Sequence, residues 1–159
     1  MNYTVRSAQK ADMPRVLELI KELAIFENEP DAVLITVEDL INGAFGREKL
    51  FKCFVCEKDD HIQAMAICYP RFSTWKGKTI HLEDLIVTQK YRGQGLGKAL
   101  YSAVMKYAFE LKVGRVEWVV LDWNTSAINF YESTGAVVDR QWNIAQMDQE
   151  SLANYIDNL

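Results

Sequence analysis

The sequence predicts an α/β (α+β) fold: one mixed, mostly antiparallel sheet with helices on both faces. Three observations predict it. Strand-like runs at about Lys52–Lys58, Ile62–Tyr69 and Lys78–Thr88 follow one another with only short turns between them, which reads as an antiparallel meander. A long amphipathic run, Leu96–Leu111, then leads to a further strand-like run, Arg115–Leu121, and a helical crossover delivers the chain to a parallel neighbour. Before the meander, Val16, Leu19, Ile20 and Leu23 recur at helical spacing, so a helix buries one face there.

The elements follow in order. Tyr3–Arg6 reads as a short first strand. Asp12 marks an N-cap region with Pro14 early in the next helix, which ends near Phe26. Residues Glu27 to Ile35 are acidic and irregular, and Thr36 caps a second helix through Ala44. Gly46–Lys49 turns into the meander, whose own turns are Asp59-Asp60 and Trp75-Lys76-Gly77-Lys78. After Leu111 the chain stops near Gly114, forms the strand Arg115–Leu121, and continues into a short helix, Ser126–Ser133, ended by Gly135. A strand pair is expected at Ala136–Asp139 and Trp142–Met147, and a last helix at Gln149–Asn158. The predicted order is βαα-βββ-α-β-α-β, and in such an open sheet ligands enter near the carboxyl ends of strands that part.

With 159 residues, the chain is expected to form one domain, residues 1–159. Hydrophobic residues at 49% and charged residues at 25% are ordinary for a globular protein. Met-Asn-Tyr-Thr-Val-Arg carries no apolar signal segment, and no run approaches the ~18 apolar residues of a membrane span, so a cytoplasmic location and no membrane partner are expected. A net charge of −4 disfavours a nucleic-acid partner and permits a cationic ligand. Cys53 and Cys56 have Cys-x-x-Cys spacing but lie in one strand, where residues three apart point to opposite faces. They read as structural thiols, and no metal is expected, because His61 and His81 add no recognised ligand spacing.

The densest chemical signal is Tyr91-Arg92-Gly93-Gln94-Gly95-Leu96-Gly97-Lys98, set between a strand and a helix. Glycines let several backbone N–H groups turn inward, and the helix presents its positive end to the same place, which together suit an anion such as pyrophosphate. A P-loop fails because Arg92 stands in place of its first glycine and Ala99 follows Lys98. A dinucleotide fingerprint fails because Lys98 stands where its third glycine belongs. Glu83 and Asp84 are adjacent carboxylates in the apolar run Leu82–Val87, facing opposite sides, and burying either is costly unless it is paired or serves a site.

Arg-Gly-x-Gly-x-Gly between strand and helix resembles the pyrophosphate loop of the GNAT acyltransferases. The resemblance extends to Leu19–Ala24, Leu82-Glu83-Asp84, Trp123-Asn124, Ile128-Asn129-Phe130-Tyr131 and Gly135-Ala136, in the family's order. Within that superfamily the chain is most similar to the spermidine/spermine (diamine) and thialysine acetyltransferase group. The resemblance implies a mostly antiparallel sheet splayed at the cofactor site, and acetyl transfer from acetyl-CoA to a primary amine by direct attack. It implies that Glu83 is the base acting through water and Tyr131 the acid to the CoA thiolate. Read alone, Tyr131 is first a core aromatic beside Ile128 and Phe130; the matched motif reverses that. A phenol of pKa about 10 can protonate a departing thiolate.

The resemblance also implies that the backbone of Leu85, Ile86 and Val87 pairs with the pantetheine arm. Arg92, Gly93, Gln94, Gly95, Leu96, Gly97 and Lys98 would hold the pyrophosphate, and Asn124, Ser126 and Tyr131 the other side of the cofactor. Glu27, Glu83, Asp84 and Trp142 would meet the amine, Trp142 through its aromatic face. On the residues alone, Glu27 reads equally as an exposed helix-end charge and Trp142 as core packing. One departure stands out. Polyamine enzymes of this group carry an acid before the tryptophan matched by Trp75, whereas this chain reads Phe72-Ser73-Thr74-Trp75, with Arg71 close by. That weakens the case for long polyamines and keeps short diamines and thialysine-like amino acids. Alternatives are a protein or peptide amine substrate and a CoA-sensing module without turnover. A homodimer is expected by the same resemblance.

Overall fold

The computed structural model of the chain describes residues 2–159. It resolves into a larger unit ending at Val119 and a smaller one, Val120–Leu159.

The larger unit is a sheet flanked by three helices. Its strands are β1 (Thr4–Ser7), β2 (Lys52–Lys58), β3 (His61–Ser73), β4 (Gly77–Val87) and β5 (Arg115–Glu117), and its helices α1 (Met13–Phe26), α2 (Val37–Phe45) and α3 (Leu96–Glu110). The strands lie side by side in chain order. The first four are antiparallel, and β5 runs parallel to β4 after the α3 crossover.

Alternation along the strands divides the core between two faces. Cys53 and Val55 of β2, Met65 and Ile67 of β3 and Ile86 of β4 join Met13, Val16 and Leu19 of α1 and Leu40 of α2. The intervening Phe54 points to the other face, where its ring meets Tyr107 of α3 edge-on at 5.9 Å. Cys56 shares that orientation with Phe54 by strand alternation, so the two cysteines of the Cys-x-x-Cys do lie on opposite sides.

Local signals explain the helix starts. Pro14 sits in the first turn of α1. Asp12 precedes α1 but does not cap it. Its carboxylate instead takes Arg6 Nη1 at 2.6 Å and the Gln9 N–H at 2.7 Å, closing a short 3-10 turn before the helix. Thr36 accepts from the Asp39 N–H at 3.2 Å while Asp39 returns to the Thr36 N–H at 2.8 Å, a reciprocal capping box for α2.

Two features of β4 shape the site. In register, Ile67 faces Asp84 and Cys68 faces Leu82, so Glu83 is the extra residue of a β-bulge. On its other side β4 pairs with β5 only over Thr79–His81. Among the described residues, Leu82 to Val87 therefore has no strand neighbour on that side.

The smaller unit contains α4 (Thr125–Ser133) and α5 (Gln149–Asp157). Two expectations are corrected. β5 stops at Glu117 rather than Leu121, and the strand pair at Ala136–Asp139 and Trp142–Met147 does not form. Strand propensity needs a ladder partner, and among the described residues those segments have none. Val137 is 90% exposed and Trp142 76%.

Candidate active site

The glycine loop is built as an anion cradle. Gly93 has φ 73° and Gly95 φ 88°, the left-handed region that side chains resist, and Gly95 is the N-cap of α3. A Cβ on Gly93 would meet nothing within 4 Å among the described residues, so the loop faces open space. The first ladder bond of α3 runs from the Ala99 N–H to the Gly95 carbonyl, 3.0 Å. The N–H groups of Leu96, Gly97 and Lys98 precede it and are oriented by the helix start. Gly97 allows close packing, since a Cβ there would lie 3.4 Å from Val87 Cγ2. The donor set, backbone N–H groups beside a lysine, fits a diphosphate.

A cleft of about 540 Å³ opens against this loop, lined by Tyr3, Lys58, Gly93, Gln94 and Gly95. Lys58, at the end of β2, reaches the Gln94 side-chain carbonyl and lies 5.5 Å from the Tyr91 ring centroid. Sequence reading missed Lys58 and Tyr3, which lie far from the loop along the chain. Arg92 is turned away from the glycines: its Nε donates to the Val87 carbonyl at 3.0 Å, and its guanidinium stacks 4.6 Å from the Phe26 centroid. Glu22 of α1 holds the approach to the loop, accepting from Thr88 Oγ1 at 2.5 Å and from the Gln89 N–H at 2.9 Å.

The two carboxylates of β4 do face different surroundings. Glu83, on the bulge, is exposed; Tyr69 Oη donates to its Oε2 at 2.8 Å, and His81 Nε2 lies 3.5 Å from the same oxygen. Burial and the Glu83 carboxylate push the Tyr69 phenol up to about 12. Asp84 is the carboxyl that burial lifts: with Glu83 and Glu27 adding repulsion, it is pushed up to about 6. Desolvation also raises Glu27, just beyond α1. Of the residues expected to meet the amine, Glu27 and Glu83 thus each act on Asp84.

In the smaller unit, Asn124 Oδ1 accepts from the Ala127 N–H at 3.3 Å and caps α4. Ser126 is exposed in its first turn. Tyr131 is buried at 8% exposure, its ring 5.4 Å from that of Phe130. Trp142 is exposed in an irregular segment.

A model of the acetyltransferase (GNAT) family matches residues 13–136. The chain belongs to the GNAT family. It is 34% identical over 140 residues to thialysine N-epsilon-acetyltransferase of Bos taurus, covering 83% of this chain and 82% of that protein. It is 33% identical over 160 residues to spermidine/spermine N(1)-acetyltransferase-like protein 1 of Homo sapiens, covering 94% of this chain but 23% of that protein, so it spans about a quarter of that relative. The fold matches an integron cassette protein from the mobile metagenome of V. cholerae with TM-score 0.79 and 21% identity, covering 98% of each chain. This GNAT member is an acyltransferase, and the GNAT acetyltransferases use acetyl-CoA. No helix among the described residues is long and apolar enough to cross a membrane.

Proposed function

We propose that this protein acetylates a primary amine of a small molecule, a short diamine, polyamine or thialysine-like amino acid, by direct attack in a ternary complex with acetyl-CoA. The observation that carries the reading is the bulge carboxylate Glu83 beside a β4 edge that, on the side away from β3, has no strand neighbour among the described residues from Leu82 to Val87. An extended ligand arm can add to such an edge by main-chain pairing, which Leu85, Ile86 and Val87 would supply. Gly93 to Lys98 would hold the pyrophosphate through backbone N–H groups, with Arg92 nearby. Asn124, Ser126 and Tyr131 would contact the other side of the ligand.

Acetyl-CoA supplies the activated acetyl thioester; the protein must manage two protons. An aliphatic amine, of pKa about 10.4, arrives as an ammonium and must lose one. Glu83 would take it through a water. Tyr131 would hold the proton needed by the departing sulfur. Asp84 and Glu27 repel each other, and an ammonium bound between them would relieve that repulsion while being selected by it. Trp142 would offer an aromatic face to the same cation. One of the two relatives is named a thialysine N-epsilon-acetyltransferase and the other a spermidine/spermine N(1)-acetyltransferase-like protein, which supports an amine of this class.

The test separates binding from chemistry. Tyr131→Phe and Glu83→Gln should bind acetyl-CoA as the parent does and lose most turnover. Undiminished turnover in either variant removes that residue from the mechanism. We also read residues 1–159 as one domain acting as a cytoplasmic homodimer, which sedimentation at twice the monomer mass would support and a persistent monomer would refute.

A further inference from the structure

Beside Glu83 runs a row of paired groups that the acetyl-transfer reading does not use. Arg71 Nη1 lies 3.1 Å from His81 Nδ1 and 2.9 Å from Glu117 Oε1, and Arg115 Nη2 lies 2.7 Å from Glu117 Oε2. His81 stands two residues before Glu83 on β4 and opposite Tyr69 on β3, their rings 5.2 Å apart. Its side chain is 12% exposed.

The hydrogen-bond chemistry of this row assigns the imidazole tautomer. A guanidinium only donates, so His81 Nδ1 must carry the lone pair that accepts from Arg71. A neutral ring then has its proton on Nε2, the nitrogen nearest Glu83. Protonating the ring would set an Nδ1–H against an Arg71 N–H. The charged groups around the ring are Glu83 on its own strand, Arg71 on β3, and Glu117 and Arg115 on β5, with the Tyr69 phenol alongside, and Asp84, next along β4, acts on Glu83 in turn. Burial, the largest influence, holds His81 below its ordinary value, and Arg71 adds to it against the opposing pull of Glu83 and Glu117. The same geometry excludes a proton relay through the ring, because the exit nitrogen is occupied by Arg71.

We propose that His81 is a positioning residue for Glu83: Arg71 fixes the neutral imidazole with its proton on Nε2, 3.5 Å from Glu83 Oε2, and that N–H, beside the 2.8 Å hydrogen bond from the Tyr69 hydroxyl, orients the Glu83 carboxylate. The inference rests on Glu83 being the base. A donor to a carboxylate favours the ionised form, so losing it must move the pH at which the base becomes active.

The experiment is the pH profile of kcat/KM for acetyl transfer to the best acceptor among putrescine, spermidine and thialysine, in the parent, His81→Leu, His81→Gln and Glu83→Gln proteins. For His81→Leu the acid limb should move to higher pH by roughly half a unit to one unit, with KM for acetyl-CoA changed less than about twofold. His81→Gln, whose amide can donate to Glu83 and accept from Arg71, should restore most of the shift. An unmoved limb in His81→Leu, or a glutamine variant no better than leucine, overturns the proposal. Full activity in Glu83→Gln overturns both the base assignment and this one, whereas an inactive Glu83→Gln beside an unmoved His81→Leu limb overturns this one alone. If His81→Leu does not fold, side-chain nitrogen NMR of the parent decides: a neutral ring protonated at Nε2 at pH 7 is expected, and a proton on Nδ1 or a doubly protonated ring refutes it.

Discussion

Replacing Asp84 with asparagine should make the protein more stable and less active. Burial, with Glu83 and Glu27, raises the Asp84 carboxyl from its ordinary 3.8 to about 6. A raised folded-state pKa means that folding favours the protonated acid. Its stabilising influence is fully present below pH 3.8 and is lost as pH rises through about 6. At neutral pH the folded protein therefore carries a penalty of about 3 kcal/mol, at roughly 1.4 kcal/mol per pH unit. Asparagine cannot ionise and escapes it. Urea denaturation of parent and Asp84→Asn from pH 3.5 to 8 should show no advantage for the variant at the acid end. The advantage should grow between about pH 4 and 6 and level off at up to ~3 kcal/mol above that. A saturating diamine should stabilise the parent at pH 7 more than the variant, because the ammonium offsets the same repulsion. A pH-independent difference, or a variant less stable at pH 8, would refute the electrostatic account of this site.

Other perturbations should have simpler outcomes. Thr79 Oγ1 is buried with no hydrogen-bond partner among the described residues, so Thr79→Val should be neutral or stabilising by about 1 kcal/mol in thermal melts. A Cβ on Gly114 would lie 2.2 Å from the Lys76 carbonyl oxygen, so Gly114→Ala should destabilise by roughly 1–3 kcal/mol in urea. Burial pushes Cys53 up to about 12 and Cys56 and Cys68 up to about 11, so the folded protein should resist iodoacetamide at pH 8 and react once unfolded. Lys58→Met should raise KM for acetyl-CoA several-fold with little change in kcat, as expected for uniform binding of an anion at the glycine-loop cleft.

The meander, the three helices of the larger unit and the glycine loop were legible because each has a local cause. Thr36 and Asp39 form a reciprocal box, Pro14 opens α1, and Gly93 and Gly95 occupy backbone conformations that favour glycine. The alternation of Cys53, Phe54, Val55 and Cys56 also assigns the two faces from the sequence alone. What depended on register was not legible. The bulge isolates Glu83 because Ile67 meets Asp84 while Cys68 meets Leu82, and nothing in Leu82–Val87 marks an extra residue. His81 could have been suspected, two positions before Glu83 on one strand; Tyr69 and Lys58 could not, since they arrive from other strands. The expected strands at Ala136–Asp139 and Trp142–Met147 show the converse error, in which alternating apolar residues carry propensity but find no ladder partner among the described residues.

The most direct measurement is CoA thiol release from acetyl-CoA against spermidine, putrescine, thialysine, lysine, a lysine peptide and an aminoglycoside. Saturable turnover is expected with at least one small diamine, polyamine or thialysine-like acceptor, well above that with the peptide. Silence with every small amine despite tight acetyl-CoA binding, or turnover with the peptide alone, would contradict it.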